Sequence, residues 1–207
     1  MAYASLERFR DITGRNVLAL QQAKEAGKKV VGQYCIYSPL EIALAAGAIP
    51  VSLCGTKNDS IPVAETMLPR SLCPLIKRSF GFALQDSCPY LAASDIVVAD
   101  TTCDGKKKMY ELLAAYKPVV LLQLPQIQDG DAKDYWRAQY AKLAARLEKD
   151  FGVSITTDDL RDAVRLTNRL RRALKDVLDL AKRKPSPLTG MDLLDLWFRA
   201  SFMPDYE

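Results

Sequence analysis

The chain has 207 residues, 49% hydrophobic and 26% charged, with a net charge of +4. That is a globular composition, long enough for one domain or one domain with a helical appendix. The mild charge, with no basic stripe interleaved with aromatics, argues against nucleic-acid binding, and no run approaches the roughly 18 apolar residues that suggest a membrane span.

The opening MAYASLERFRDITGRN is charged early and lacks an apolar core, so no secretory signal is read there and the expected compartment is the cytoplasm. Residues 5–26 are predicted as a helix, with Leu6, Phe9, Ile12, Leu18 and Ala19 near one face, Gly14 weakening the middle and Gly27 as the stop. KKVVGQYCIY reads as a strand. Pro39 opens a second helix, which LEIALAAGA carries to Gly47. IPVSLCG is a second strand, and residues 55–70, rich in turn formers, are predicted as a loop. Residues 71–85 read as a third helix, with Leu75, Ser79 and Phe82 along one side. SDIVVAD and KPVVLLQLP are two more strands, separated by the helix KKKMYELLAAY. Strands alternating with helices predict an α/β fold: a doubly wound, mostly parallel four-stranded sheet of the Rossmann or flavodoxin-like kind.

After residue 130 the pattern is helical. Trp136, Tyr140, Leu143 and Leu147 mark one helix face. TTDD at 156–159 offers N-caps for a longer helix, whose apolar stripe is Leu160, Val164, Leu170, Leu174, Val177 and Leu178. Pro185 and Pro187 break it, and MDLLDLWFRASF closes the chain. The expected organisation is an α/β domain over 1–130 with a helical extension over 131–207 packing on it.

Five cysteines and no histidine leave a distinctive chemistry. The absence of histidine removes Ser-His-Asp and Cys-His catalysis and His-based zinc sites. An odd cysteine count without an export signal favours thiols or metal ligands over disulfides. Cys35, Cys54 and Cys103 follow strands, and ligands collect outside the carboxyl ends of strands in an open parallel sheet. Free cysteine is more often buried filler than ligand, and Cys54, beside Leu53 in an apolar strand, is expected to pack. Cys103 lies instead in TTCDG, just before a helix N-terminus and Lys106, Lys107 and Lys108, all of which favour thiolate. Cys73 precedes Pro74 at a predicted helix start, and Cys88 stands in a polar SCP turn. At least two of the three lysines are expected to be solvated; the alternative is charge compensation for a thiolate site or an anionic partner. Arg161, Arg165, Arg169, Arg171 and Arg172, interleaved with acids, are expected to face solvent.

The stretches GQYCIYSPLEIALAAGAIPVSLCG, LPRSLCPLIKRSFGFAL and CPYLAASDIVVADTTCDGKKKMYELL together resemble the 2-hydroxyacyl-CoA dehydratase family, of the 2-hydroxyglutaryl-CoA dehydratase D-component type, and within it the branch of the double-cubane cluster proteins. The resemblance implies a cytoplasmic iron–sulfur protein, with Cys73 and Cys103 as ligands of a [4Fe-4S] or double-cubane [8Fe-9S] cluster and Cys35 and Cys88 as extra candidate ligands. It implies an ATP-dependent activator protein, itself carrying an iron–sulfur cluster, that delivers a low-potential electron. The dehydratases use that electron to form a ketyl radical and eliminate water from a 2-hydroxyacyl-CoA; the double-cubane branch reduces small molecules. Members of this type are about twice this length, so the chain is expected to correspond to an N-terminal half. A second α/β domain or subunit then completes the site, a dimer is the expected assembly, and neither nucleic acid nor membrane is a partner. A non-catalytic partner-binding domain with vestigial cysteines, and a zinc or thiol-redox protein, remain as alternatives.

Overall fold

A computed structural model describes residues 7, 12–53, 55 and 57–203. The expectations placed on Leu6, Phe9 and Cys54 lie outside the described residues. Strands β1 (Val30–Tyr34), β2 (Ile49–Ser52), β3 (Ile96–Asp100) and β4 (Val119–Leu122) form one sheet in the order β2-β1-β3-β4, every pairing parallel. This is the doubly wound α/β arrangement expected. Both central strands are buried along their whole length, which is why VVGQY and IVVAD carry little exposed polarity.

Nine helices are described: α1 (Ile12–Glu25), α2 (Leu40–Ala45), α3 (Ile61–Ala64), α4 (Pro74–Leu84), α5 (Pro89–Ala93), α6 (Asp104–Leu113), α7 (Ala132–Phe151), α8 (Thr157–Ala181) and α9 (Gly190–Ala200). Side chains alternate across the sheet. Val30, Tyr34, Val97 and Ala99 point to one core, with Leu20 of α1, Ile76 and Phe80 of α4, and Met109, Tyr110 and Leu113 of α6. Val31, Ile96, Val98 and Leu122 point to the other, with Ile42 and Ala43 of α2, its C-cap Ala46, and Leu143 and Leu147 of α7. Trp136 and Tyr140 are partly buried against that second core, on the α7 face expected for them. Gly27 does stop α1: it takes a left-handed φ of 84°, and the Gly27 and Lys28 amides donate to the Lys24 and Ala23 carbonyls, each at 2.9 Å.

The structure differs from the sequence reading in several places. On α1, Leu20 is buried, whereas Leu18 is 59% exposed and Ala19 is exposed. The 55–70 loop contains the one-turn helix α3, seeded by a proline in its first turn. The third helix starts at Pro74 and buries Ile76 and Phe80, while Leu75 is 41% exposed. Pro89 seeds a separate short helix, α5, so Cys88 of the SCP turn is its N-cap. On α8 the buried residues are Ala163 and Thr167, whereas Val164 and Leu178 are each 42% exposed. The reason is the neighbour: α8 packs on α2, where Thr167 donates to Glu41 at 2.7 Å and Ala163 borders a groove with Leu44 and Ala45. Thr156 caps α8 in a capping box with Asp159, as TTDD suggests.

Candidate metal and ligand site

In this strand order the chain leaves β1 towards β2, while β3 lies on the other side of β1. The carboxyl ends of β1 and β3 therefore flank a topological switch point, where open α/β sheets hold ligands. Cys35 follows β1, and Thr101 to Lys106 follow β3 and enter α6.

Polar groups crowd this crevice. Asp100, the last residue of β3, is fully buried. Its Oδ2 accepts from the Tyr37 amide at 3.1 Å, and its Oδ1 has no partner. The hydroxyl of buried Tyr110, whose ring lies 5.7 Å from that of Tyr34, is likewise unpartnered. Burial, with the nearby Cys35 and Asp100, pushes the Tyr110 hydroxyl well above the usual phenol range. Cys35 adopts a left-handed φ of 69°, uncommon away from glycine, and its Sγ lies 3.9 Å from Thr102 Oγ1. The Lys106 ammonium donates to that same sulfur. Burial works to lower the Lys106 pKa, but its hydrogen bond to Cys35 and the negative character of Cys35, Asp100 and Cys103 outweigh it and hold the amine above its ordinary value. Lys107 and Lys108 do what a solvated charge run does: they pair with Asp104 at 3.1 Å and Glu111 at 2.9 Å, with their side chains 42% and 59% exposed.

Cys73 and Cys103 occupy equivalent positions. Each is the N-cap of a helix, α4 and α6 respectively, each is exposed, and neither side chain caps its helix by hydrogen bonding. The two helices pack together at this end. A Cβ on Gly105 would lie 2.8 Å from Leu72 Cδ1 and 2.9 Å from Ile76 Cδ1, so the bare glycine lets the start of α6 rest against the start of α4. Two uncommitted thiols at adjacent helix N-termini are a donor pair suited to thiolate ligation of iron, because the positive helix ends favour the anionic form. Cys35, beside Thr102, borders the same edge.

Cys88 is placed elsewhere. It lies past the far end of α4, whose 11 residues span about 16 Å. Its half-buried sulfur accepts from the Leu91 amide at 3.4 Å, and burial pushes its thiol up. Among the described residues, no three Cys, Asp or Glu side chains converge to hold a metal ion. The edge thus carries Cys73 and Cys103 on two packed helix starts, has Cys35 at its border, and leaves Cys88 apart.

A cavity of about 350 Å³ opens beside Cys35. Gln33, Ser52 and Cys35 line its floor, and Leu170, Leu174 and Trp197 form an apolar wall. Arg171 also lines it; its side chain is 55% exposed, in keeping with its place in the basic run, but its charge is paired. It donates to Glu41 Oε1 at 2.5 Å and to Thr167 Oγ1 at 3.0 Å. Burial raises the Glu41 pKa, but the hydrogen bonds from Thr167 and Arg171 override it and hold the carboxyl below its usual range.

The sequence reading missed Asp100, Tyr110 and the singular role of Lys106. The signal for Asp100 was present: a carboxylate ending an apolar strand, SDIVVAD, is a buried charge placed at a sheet edge.

A family model described as 2-hydroxyglutaryl-CoA dehydratase, D-component, matches residues 35–207. YjiM of Escherichia coli (strain K12), described as a candidate dehydratase subunit, is 45% identical over 205 residues, which cover 99% of this chain and 54% of that protein. The beta subunit of lactoyl-CoA dehydratase from Anaerotignum propionicum is 25% identical over 97% of this chain and 53% of its own length. A benzoyl-CoA reductase subunit from Thauera aromatica is 27% identical over 91% of this chain and 50% of its own. The chain spans about half the length of the curated relatives it matches.

Proposed function

This chain belongs to the 2-hydroxyglutaryl-CoA dehydratase D-component family, and from that premise we propose that it is the iron–sulfur part of an enzyme that eliminates water from a 2-hydroxyacyl-CoA. The observation that supports this reading is two exposed, uncommitted N-cap thiols, Cys73 and Cys103, on helices whose starts pack together at the carboxyl edge of the sheet. They would hold a [4Fe-4S] cluster, and further ligands would come from a second α/β domain or subunit. A cluster held there would supply one-electron chemistry at low potential and Lewis acidity toward the departing hydroxyl.

The chain's own residues prepare that edge. The start of α4 and the start of α6 hold the two thiols at a fixed spacing, with Gly105 allowing the close approach. The apolar wall of Leu170, Leu174 and Trp197 gives the open cavity beside Cys35 a surface and room for the acyl end of a thioester. Electrons arrive from an ATP-dependent activator protein, which would dock on this open edge. The proposed compartment is the cytoplasm, where such thiolates stay reduced; none of the described helices is long and apolar enough to cross a membrane.

A second reading rests on Cys35. A third thiol bordering the edge favours a cysteine-richer, double-cubane [8Fe-9S] site that reduces small molecules, still with an ATP-dependent activator. Anaerobic reconstitution with iron and sulfide, in the presence of the completing half, tests both. Four iron atoms per site with a [4Fe-4S] EPR signal support the dehydratase reading, and about eight support the reductase. Zinc alone would mark a metal site of another kind. No metal at all would leave a non-catalytic partner-binding domain.

A further inference from the structure

Of the three consecutive lysines that open α6, one behaves unlike its neighbours. Lys107 and Lys108 place their charge in water against exposed acids. Lys106 is half-buried and donates to Cys35 Sγ, and among the described hydrogen bonds it is the only lysine that reaches a sulfur. Around it lie the fully buried Asp100, with Oδ1 unpartnered, and Cys103, the cap of the helix that carries Lys106. A cation in this partly dry crevice acts on its neighbours more strongly than one in water. Charge and hydrogen bonds at the sulfur ligands are among the levers that set an iron–sulfur potential.

We propose that Lys106 is a positioning and charge-balancing residue for the cluster edge: its ammonium orients the Cys35 sulfur and stabilises the electron added to a cluster held there. The inference rests on the cluster reading above. Reduction adds negative charge at the edge. A fixed cation against one of its sulfurs favours the reduced form and raises the potential. Asp100, a buried carboxylate beside the same amine, works in the opposite direction and keeps the crevice close to neutral. The cation on Lys107, one residue along and already paired with Asp104, does neither.

The test is an EPR-monitored redox titration of the anaerobically reconstituted protein, assembled with its completing half, alongside iron and sulfide counts and circular dichroism. Lys106→Met is expected to disfavour reduction by at least about tenfold, which is about 59 mV for one electron. Lys106→Arg is expected to recover most of the shift, Asp100→Asn to move the potential upward, and Lys107→Met to change nothing. Cluster loss from Lys106→Met but not from Lys106→Arg also supports the proposal, because it makes the charge the requirement. An unchanged potential in Lys106→Met at full iron content overturns it, as does an equal shift in Lys107→Met, or cluster loss from both Lys106 variants. If the unaltered protein takes up no iron and sulfide, the cluster reading itself falls and this inference with it.

Discussion

Three of the described helices are capped by cysteine, and their thiols meet opposite fates. Cys73 and Cys103 lie at the carboxyl edge of the sheet, exposed and without a capping hydrogen bond. Cys88 lies at the other end of α4, where its sulfur caps α5 through the Leu91 amide and packs against the first core. The local motif is similar, since Cys73 and Cys88 are both followed by proline. What differs is the side of the sheet. At the carboxyl edge helices start and strands end, so polar backbone and side chains converge on open space. At Cys88 the chain is folding back into β3, and the thiol serves as a small half-buried cap.

The sharpest way to break this contrast is to exchange the thiols. In Cys73→Ser/Cys103→Ser, iron and sulfide retained after anaerobic reconstitution should fall to background, while Cys88→Ser should retain them; equal losses in both proteins would erase the distinction. A smaller effect follows from the scaffold behind the open edge. Lys77, its side chain only 8% exposed, pairs with Glu65 at 2.7 Å and donates to the Arg70 carbonyl at 2.8 Å, pinning the segment that leads into Cys73. Lys77→Met leaves Glu65 without its closest partner and should cost about 2–3 kcal/mol in urea unfolding.

Alkylation rates sharpen the comparison without any metal. Peptide-resolved labelling with iodoacetamide should modify Cys73 and Cys103 roughly tenfold faster than Cys88, which is less accessible and whose thiol is raised by burial. The same shift carries a pH signature. Below the ordinary thiol range both states keep the Cys88 proton and its contribution is intact. Above that range the unfolded chain releases the proton first and so binds fewer protons than the native one. Native stability then falls as pH rises. Urea midpoints at pH 7 and about 9.5 should diverge less in Cys88→Ser than in the unaltered protein. The smallest effect belongs far from the thiols: Thr156→Ala removes the capping box of α8 and should cost about 1 kcal/mol while leaving thiol labelling unchanged.

Much of this was legible in the sequence. Continuous apolar runs in VVGQY and IVVAD mark strands covered on both faces, and their alternation with helices dictates a parallel sheet. Gly27 and TTDD announce helix ends because left-handed backbone and side-chain capping are properties of single residues. On α8, Leu160, Leu170, Leu174 and Val177 lie on the inner face as their period suggests, but Val164 and Leu178 do not, because periodicity names an apolar face only to within a residue and not its neighbour. Against alanine-rich α2, the residues that fit are Ala163 and Thr167. The loop helix α3 escaped notice because a single turn is too short to show a period.

The sequence by itself determined the fold class, the exclusion of histidine chemistry and the place of Cys103 just before a helix start, since these depend on composition, local propensity and near neighbours along the chain. Tertiary structure decided the rest. It separated Cys88 from Cys73 by the length of α4, set the bare Gly105 against Leu72 and Ile76, and carried Lys106 to a sulfur 71 residues away. Such long-range contacts follow from which strand lies beside which, and that order is fixed only when both faces of the sheet have found the helices that bury them.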